Sequence, residues 1–203
     1  MGGVMFCSDA DLSGDSVIFL AHQWNFFPGK QYTPSDFNEK SVTGGTFLTL
    51  GSFGNFSLGS TSEASNGTAT YRLTLSLPDT ARTYSLYLPE IFSAYTLYLN
   101  EEKVCSQGNP DPAHYQDLIG NKEISFTASG TVHITIIVTN YSHIYSGITY
   151  PPAFGTVTAI QKYLSTRLFI SGITLAAIFL FAACSLFFFC RLKHNNALVF
   201  TIL

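Results

Sequence analysis

Charged residues are scarce in this sequence, and basic residues form no cluster away from the flanks of one apolar segment. Charged side chains make up 11% of the 203 residues and the formal net charge is −3, whereas about 25% of the residues of a typical soluble domain are charged. Nucleic-acid binding depends on a basic surface that neutralises phosphates. The composition therefore excludes nucleic acid as a partner.

Motifs of the common catalytic sites are missing as well. The sequence contains no G-x-S-x-G nucleophile elbow, no H-E-x-x-H zinc motif, no phosphate-binding loop, and no group of His and Cys residues at metal-ligand spacing. We therefore expect no enzymatic activity, no metal site and no cofactor. His133 lies within a predicted strand, opposite its apolar row, and is interpreted as a histidine on the surface of a sheet.

Cysteine is also rare. Cys184 and Cys190 lie in the long apolar segment, where small polarizable side chains serve packing. Cys7 and Cys105 lie in the rest of the chain and carry no spacing signature. A disulfide between them and two free thiols are therefore both open alternatives.

One hydrophobic run stands out at residues 168–190, where 23 consecutive positions lack a charge. At about 1.5 Å per residue, a helix of this length crosses the roughly 30 Å hydrocarbon core of a bilayer. Residues 161–167 are predicted to form a linker to the preceding domain, and residues 191–196 a cytoplasmic turn. Residues 197–203 begin another apolar run, so we expect a second transmembrane helix there, in a chain that is the front part of a longer multi-pass protein.

The orientation in the membrane is inferred from the domain, because the flanking charges do not decide it. Two basic residues precede the apolar run and two follow it, so the positive-inside rule gives no answer. Residues 12–160 are rich in Ser, Thr and Tyr and long enough to translocate largely regardless of charge. We expect them to form an extracytoplasmic domain anchored in the cell membrane. Residues 1–11 lack the features of an intact signal peptide and are interpreted as the remnant of one.

Short segments of alternating apolar and polar residues run through residues 12–160. Residues 71–77 place one tyrosine and three leucines on one face, and residues 131–139 repeat the pattern with Val and Ile. Asn100 and Glu101 lie between two such segments, and asparagine tolerates the positive φ of a tight hairpin turn. No segment before the apolar run carries the stripe of an amphipathic helix. The pattern predicts an all-β jelly-roll sandwich followed by a transmembrane α-helix.

The order of four segments resembles a known family. Residues 22–27 (HQWNFF) resemble its opening G-x-W-x-F strand, residues 69–73 (ATYRL) its a-T-Y-R-l strand, residues 93–100 (SAYTLYLN) its s-A-Y-x-l-y-v-N-G strand, and residues 139–143 (TNYSH) with Ser146-Gly147 its s-N-x-x-h…G-G stretch. The apolar run follows directly. The family is the extracellular region of bacterial seven-transmembrane receptors with diverse intracellular signalling modules (7TMR-DISM), and the resemblance covers residues 12–203.

The resemblance implies a galactose-binding-like jelly roll that binds carbohydrates or similar small molecules. It also implies seven helices and a cytoplasmic output such as a histidine kinase or a diguanylate cyclase. Two positions depart from the family pattern. Glu101 replaces a glycine in the hairpin turn, and Ser146 replaces the first glycine of a pair, where a side chain narrows a loop that approaches a ligand.

Sugars are typically held by an aromatic face and by planar polar side chains that fix the hydroxyl groups. The ligand-binding candidates of these types are Trp24, Arg72, Asn140, His143 and Tyr145. Trp24 lies at the phase of the core, so packing inside the sandwich is its competing interpretation, and Asn140 at a strand end is equally a turn residue. Arg72 points away from the apolar row and His143 lies in a loop, which makes these two the strongest candidates.

We expect the chain to be the ligand-sensing region of a bacterial membrane receptor that signals through its transmembrane helices. The expected partners are a carbohydrate or other small molecule and the membrane, and a homodimer is left open. Two alternatives are a carbohydrate-binding module of a membrane-tethered carbohydrate-processing enzyme and an adhesion module. A concave polar pocket favours sensing, whereas an exposed apolar patch favours adhesion.

Overall fold

The computed structural model of the protein describes residues 3–39, 42, 44–51 and 66–192. The chain divides into two compact units, Met1–Ile160 and Gln161–Leu203. Residues 193–203 include most of the predicted cytoplasmic turn and the predicted start of a second transmembrane helix. They lie outside the described residues.

In its described residues, the first unit consists of strands and one short helix, α1 (Pro34–Glu39). Its aromatic and β-branched residues pack well on a pleated surface, which favours strands, and Gly, Pro, Asn and Asp residues separate them. The strands are β1 (Val4–Phe6), β2 (Val17–Phe19), β3 (Trp24–Pro28), β4 (Thr46–Leu48), β5 (Gly67–Ser76), β6 (Arg82–Leu88), β7 (Ala94–Leu99), β8 (Glu102–Gln107), β9 (Lys122–Ala128), β10 (Thr131–Asn140) and β11 (Ala153–Thr156).

The strands form two sheets. In the described residues, sheet A has the order β4-β3-β5-β10-β7-β8, and β1 pairs with β5 in parallel. Sheet B has the order β2-β11-β6-β9 and is antiparallel throughout. The predicted all-β jelly-roll sandwich is therefore confirmed.

The longest pairing joins β5 to β10 at the centre of sheet A. Both strands have ten residues, and they pair along their whole length. Side chains alternate between the two faces of a strand. This register therefore places Leu73 and Ile134, both 0% exposed, opposite each other on the inner face. Arg72 and His133, one position away, lie on the outer face.

The core lies between the two sheets. Trp24 and Phe26 from sheet A and Tyr84 and Phe154 from sheet B are among its largest side chains, and none is more than 1% exposed. The rings of Tyr84 and Phe154 have centroids 5.3 Å apart. The indole N–H of Trp24 donates to the carbonyl oxygen of Leu20 at 2.7 Å. The one polar atom of this indole is thus satisfied inside the core.

The sandwich begins earlier than the predicted domain boundary at residue 12. β1 pairs with β5, and Cys7 belongs to the core cluster, so the N-terminal segment 1–11 contributes to sheet A. Cys7 and Cys105 are free thiols, which decides between the two alternatives left by the sequence. Burial, followed by the nearby charge of Asp11, raises the pKa of Cys7 to about 11. This thiol therefore stays protonated and unreactive at neutral pH.

Helix α2 (Val157–Leu192) follows β11 directly. Thr156 caps it, because its Oγ1 accepts a hydrogen bond from the Ala159 N–H at 3.2 Å. An 18-residue window within Val157–Phe189 has a mean hydropathy of 2.3, and this segment can, by length and composition, cross a membrane. Residues 161–167, which the sequence predicts to be a linker, are part of this helix. These residues are helical, because they contain neither the glycine nor the proline that interrupts a helix.

Replacing Ile136, which is 0% exposed, by alanine should reduce the free energy of unfolding by about 2–5 kcal/mol, because buried contacts are lost and a cavity is left. Ile144→Ala removes the same atoms from a side chain that is 74% exposed. This substitution should change the free energy of unfolding by less than about 0.5 kcal/mol. Urea unfolding of the full chain in detergent micelles, followed by the fluorescence of Trp24, the single tryptophan, measures both. Equal losses in the two variants would contradict the placement of β10 in the core.

Candidate functional site

Polar side chains of sheet A gather on its outer face, opposite the core. Arg72 of β5 and His133 of β10 alternate with buried apolar neighbours and so lie on this face. The segment that leads into α1 is bound to the same face. The Tyr32 N–H donates to Thr70 Oγ1 at 2.8 Å, and Thr70 Oγ1 donates to the carbonyl oxygen of Lys30 at 2.8 Å. These two bonds hold α1 beside Arg72.

A cleft of about 530 Å³ opens on this face. Its walls come from α1, from the two central strands of sheet A, and from the turn between β7 and β8. Four elements that are distant in sequence therefore meet in one concave site. The polar residues that line it are Asn38, Arg72, Asn100, Glu101, Glu102 and His133.

Arg72 carries the positive charge of the cleft. Its guanidinium carbon lies 4.0 Å from the centre of the Phe37 ring, a distance typical of a cation–π contact. Its Nη1 atom is buried and has no hydrogen-bond partner among the described residues. Burial lowers the pKa of the Arg72 guanidinium, but an arginine stays charged in a protein at neutral pH.

His133 is fixed by three hydrogen bonds. Its Nδ1 lies 3.0 Å from Thr74 Oγ1, its backbone N–H donates to Asn100 Oδ1 at 2.9 Å, and its carbonyl oxygen accepts from the Asn100 N–H at 2.7 Å. Burial, followed by the positive charge of Arg72, lowers the pKa of His133. The imidazole is therefore neutral at pH 7 and can donate one hydrogen bond and accept another.

Asn100 begins the turn between β7 and β8, with φ at 55°. Asparagine tolerates this region better than most residues, so the predicted hairpin and the role of Asn100 in it are confirmed. Glu101 is not among the described residues with positive φ. A type I′ turn needs positive φ at both central positions. This hairpin therefore uses another turn type, in keeping with the glutamate at its second position.

The same turn places two carboxylates at the rim of the cleft. Glu101 and Glu102 are exposed, and Asn38 Nδ2 donates to Glu101 Oε1 at 2.7 Å, which joins α1 to the turn. Within the described ranges, no group of three or more His, Cys, Asp and Glu side chains could hold a metal ion. The cleft combines donors inside with acceptors at the rim, an arrangement that suits a small polar organic molecule.

Asn140, the last residue of β10, lies together with His143 and Tyr145 of the loop that follows, away from this cleft. Asn140 Nδ2 donates to the carbonyl oxygen of His143 at 2.6 Å, and the His143 N–H donates to Asn140 Oδ1 at 3.2 Å. The His143 ring stacks on Phe92 at 4.9 Å and lies 5.4 Å from the Tyr145 ring. Arg72 pairs with a β10 residue five positions before Asn140, so this loop lies about 17 Å along the strand at roughly 3.4 Å per residue.

The structure thus separates the five ligand-binding candidates. Only Arg72 lines the cleft. The structure corrects the prediction that Trp24 binds the ligand. Trp24 is 0% exposed and its N–H is bonded inside the core, so it offers no surface to a ligand. Asn140, His143 and Tyr145 form a second polar and aromatic cluster on the loop.

Several cleft residues were not predicted from the sequence. Asn38 and Phe37 lie on α1, which has only six residues and no helical stripe in its sequence. Asn38 meets Glu101 across 63 positions of the chain, and no local pattern reports such a contact. His133, like Arg72, lies opposite the apolar row of its strand. The sequence therefore carried the same signal for both residues, but His133 was interpreted only as a histidine on the surface of a sheet.

Comparison with known proteins shows a fold likeness only. No family model matches the chain, and no curated protein matches it. A solved β-glucuronidase from Faecalibacterium prausnitzii is 14% identical, with a TM-score of 0.51 over 68% of this chain and 31% of that chain. A β-galacturonidase from Eisenbergiella tayi is 13% identical, with a TM-score of 0.47 over 70% of this chain and 24% of that chain. The chain spans less than a third of the first enzyme, and this likeness supports the sandwich fold.

Acidification should destabilise the sandwich in part through His133. Its pKa in the folded chain lies below the ordinary value of 6.5, so the unfolded chain takes up the proton first as the pH falls. The stabilisation is complete above pH 6.5 and is lost as the pH falls through the folded pKa. His133→Gln removes this titration and leaves Arg72, Glu101 and Glu102 in place. It should therefore lose less stability than the natural protein between about pH 7.5 and about pH 5.5.

The measurement is the midpoint of unfolding of both proteins at the two pH values, from the fluorescence of Trp24. A variant that loses as much stability as the natural protein would show that His133 does not titrate as its burial requires.

Proposed function

We propose that this chain is the extracytoplasmic ligand-sensing region of a bacterial membrane receptor of the 7TMR-DISM kind, with a carbohydrate or similar small molecule as its ligand. One observation carries the proposal. A polar cleft around Arg72 lies on a jelly-roll sandwich that continues directly into an apolar helix long enough to cross a membrane.

The cleft has the size and chemistry of a site for a small molecule. Its volume of about 530 Å³ falls within the roughly 300–1,000 Å³ of typical ligand sites, where a few polar groups fix the orientation of the ligand. Arginine, histidine and asparagine supply donors for hydroxyl oxygens, and the rim carboxylates accept from hydroxyl hydrogens. These features support sensing over adhesion, which depends on an exposed apolar patch.

A ligand changes the state of a receptor only through different affinities for two conformations. The first turn of α2 belongs to the same compact unit as the sandwich, and Ala159 and Ile160 in that turn are 0% exposed. Repacking of the sandwich on ligand binding therefore acts on residues of α2 itself. In the proposed receptor, this turn is where binding is converted into a signal.

A carbohydrate-binding module of a membrane-tethered enzyme is the second candidate. The fold likeness to part of the F. prausnitzii β-glucuronidase favours it. The two proposals differ in what else the gene encodes. A receptor requires further membrane spans and a cytoplasmic signalling domain, whereas an enzyme requires a catalytic domain on the outer side. The gene sequence on either side of this chain distinguishes them.

A ligand that binds only the folded sandwich must raise its unfolding midpoint. We expect at least one compound in a panel of neutral sugars, sugar acids and amino sugars to do so for the full chain in micelles, measured by Trp24 fluorescence. Arg72→Met should reduce this shift. Ile136→Ala should lower the midpoint equally with and without the compound, because it weakens the core. A panel in which no compound raises the midpoint would contradict the sensing proposal.

The proposed orientation is tested by cysteine labelling of intact cells with a membrane-impermeant maleimide. Asp79→Cys, at an exposed position of the sandwich, should react without permeabilisation, whereas Arg191→Cys, beyond the apolar span, should react only after it. The unmodified chain gives the background of its natural cysteines. The reverse result would place the sandwich in the cytoplasm.

A further inference from the structure

Arg72 has a positive charge that no acidic residue neutralises in the part of the chain described. Among the described residues, Arg82 forms an ion pair with Asp9 at 2.7 Å, whereas no such pair is found for Arg72. A charge that is partly removed from water normally has a partner of opposite sign. Arg72 is half-buried without one, so the cleft is locally electropositive at its inner end.

The contact with Phe37 leaves the hydrogen-bonding capacity of Arg72 unused. The guanidinium carbon of Arg72 lies over the Phe37 ring, 4.0 Å from its centre. This contact restrains the charged group but supplies no oxygen or nitrogen acceptor for its N–H donors. Nη1 is buried with no acceptor among the described residues, so the donors open to an anionic acceptor are the other N–H groups of this side chain, which lines the cleft.

Two further donors line the cleft with Arg72. Asn100 uses its Oδ1 to accept from the His133 N–H, so its Nδ2 group is the donor that remains. The neutral His133 ring presents an Nε2 donor when its Nδ1 accepts from Thr74. An arginine fork with neighbouring neutral donors is an arrangement suited to a carboxylate, which the fork can bind through both oxygens.

The carboxylates of Glu101 and Glu102 at the rim restrict the rest of the ligand. They repel a second negative charge but accept hydrogen bonds from hydroxyl groups. We propose that the cleft binds a monoanionic, polyhydroxylated acid such as a uronic acid, with its carboxylate on Arg72 and Asn100 and its hydroxyl groups toward the two glutamates. This assignment rests on the proposed ligand-sensing function and names the chemical class of its ligand.

The test compares pairs of sugars that differ at one group. Each compound is titrated into the protein, and the binding of D-galacturonate and D-glucuronate is compared with that of D-galactose and D-glucose, which carry CH₂OH in place of the carboxylate. Methyl galacturonate, which has nearly the same shape without the charge, is a further comparison. The readouts are the dissociation constant by calorimetry and the unfolding midpoint by Trp24 fluorescence, on the full chain in micelles. At least one uronate should bind about tenfold or more tightly than its neutral counterparts, as expected for hydrogen bonds to a charged group.

Arg72→Met should weaken uronate binding by about 10- to 100-fold, the range for loss of a charge-assisted hydrogen bond. Arg82→Met is the matched control, because it removes the same charge from an exposed position of the sandwich, and it should leave the affinity within about twofold. Asn100→Gly keeps a residue that accepts positive φ and removes the second donor, so it should weaken uronates more than neutral sugars. The unfolding midpoint without ligand shows that each variant is folded.

The outcomes separate this inference from the function on which it rests. If neutral sugars raise the midpoint and uronates bind no better than they do, the carboxylate assignment is wrong while ligand sensing stands. Uronate binding that survives Arg72→Met in a folded protein would also overturn the assignment. If no compound binds, the proposed function fails together with it.

Discussion

The antiparallel pairing of β5 with β10 is the interaction on which the rest of the structure depends. It runs the full ten residues of both strands, and it fixes which side chains face the core. A shift of one residue would turn every inner side chain outward, because side chains alternate along a strand. The same register that buries Leu73 and Ile134 therefore places Arg72 and His133 together on the outer face. One pairing sets both the stability of the sandwich and the geometry of the cleft.

The sequence predicted the parts of the fold that depend on local pattern. Strict alternation identified β5 and β10, and the tolerance of asparagine for positive φ identified the turn at Asn100. It did not predict α1, because six residues cannot display a helical period, nor the parallel partner β1 at the start of the chain. Of the site, the sequence predicted Arg72 through its phase. His133 carried the same local signal, but its position beside Arg72, Asn38 and the β7–β8 turn results from tertiary packing, which no local pattern contains.

The cleft is where the sandwich departs from the rules that stabilise its core. The indole N–H of Trp24 has an acceptor at 2.7 Å, whereas Nη1 of Arg72 is buried without one among the described residues. An unsatisfied buried polar atom costs about 1–3 kcal/mol, and a cation–π contact such as that with Phe37 offsets about 0.5–2 kcal/mol of it. Local departures of this kind are expected at functional sites.

The position of β11 in the chain has a consequence for biosynthesis. It is the last described strand before α2, yet in sheet B it lies between β2 and β6, which pair with it and not with each other. Until the ribosome has made Ala153–Thr156, both of those neighbours present open hydrogen-bonding edges, which are templates for wrong pairing. Sheet B therefore closes only when the apolar helix follows immediately behind it. The open edges of β2 and β6 therefore persist until the last described strand is synthesised, so the late position of β11 lengthens the time during which they are exposed to wrong pairing.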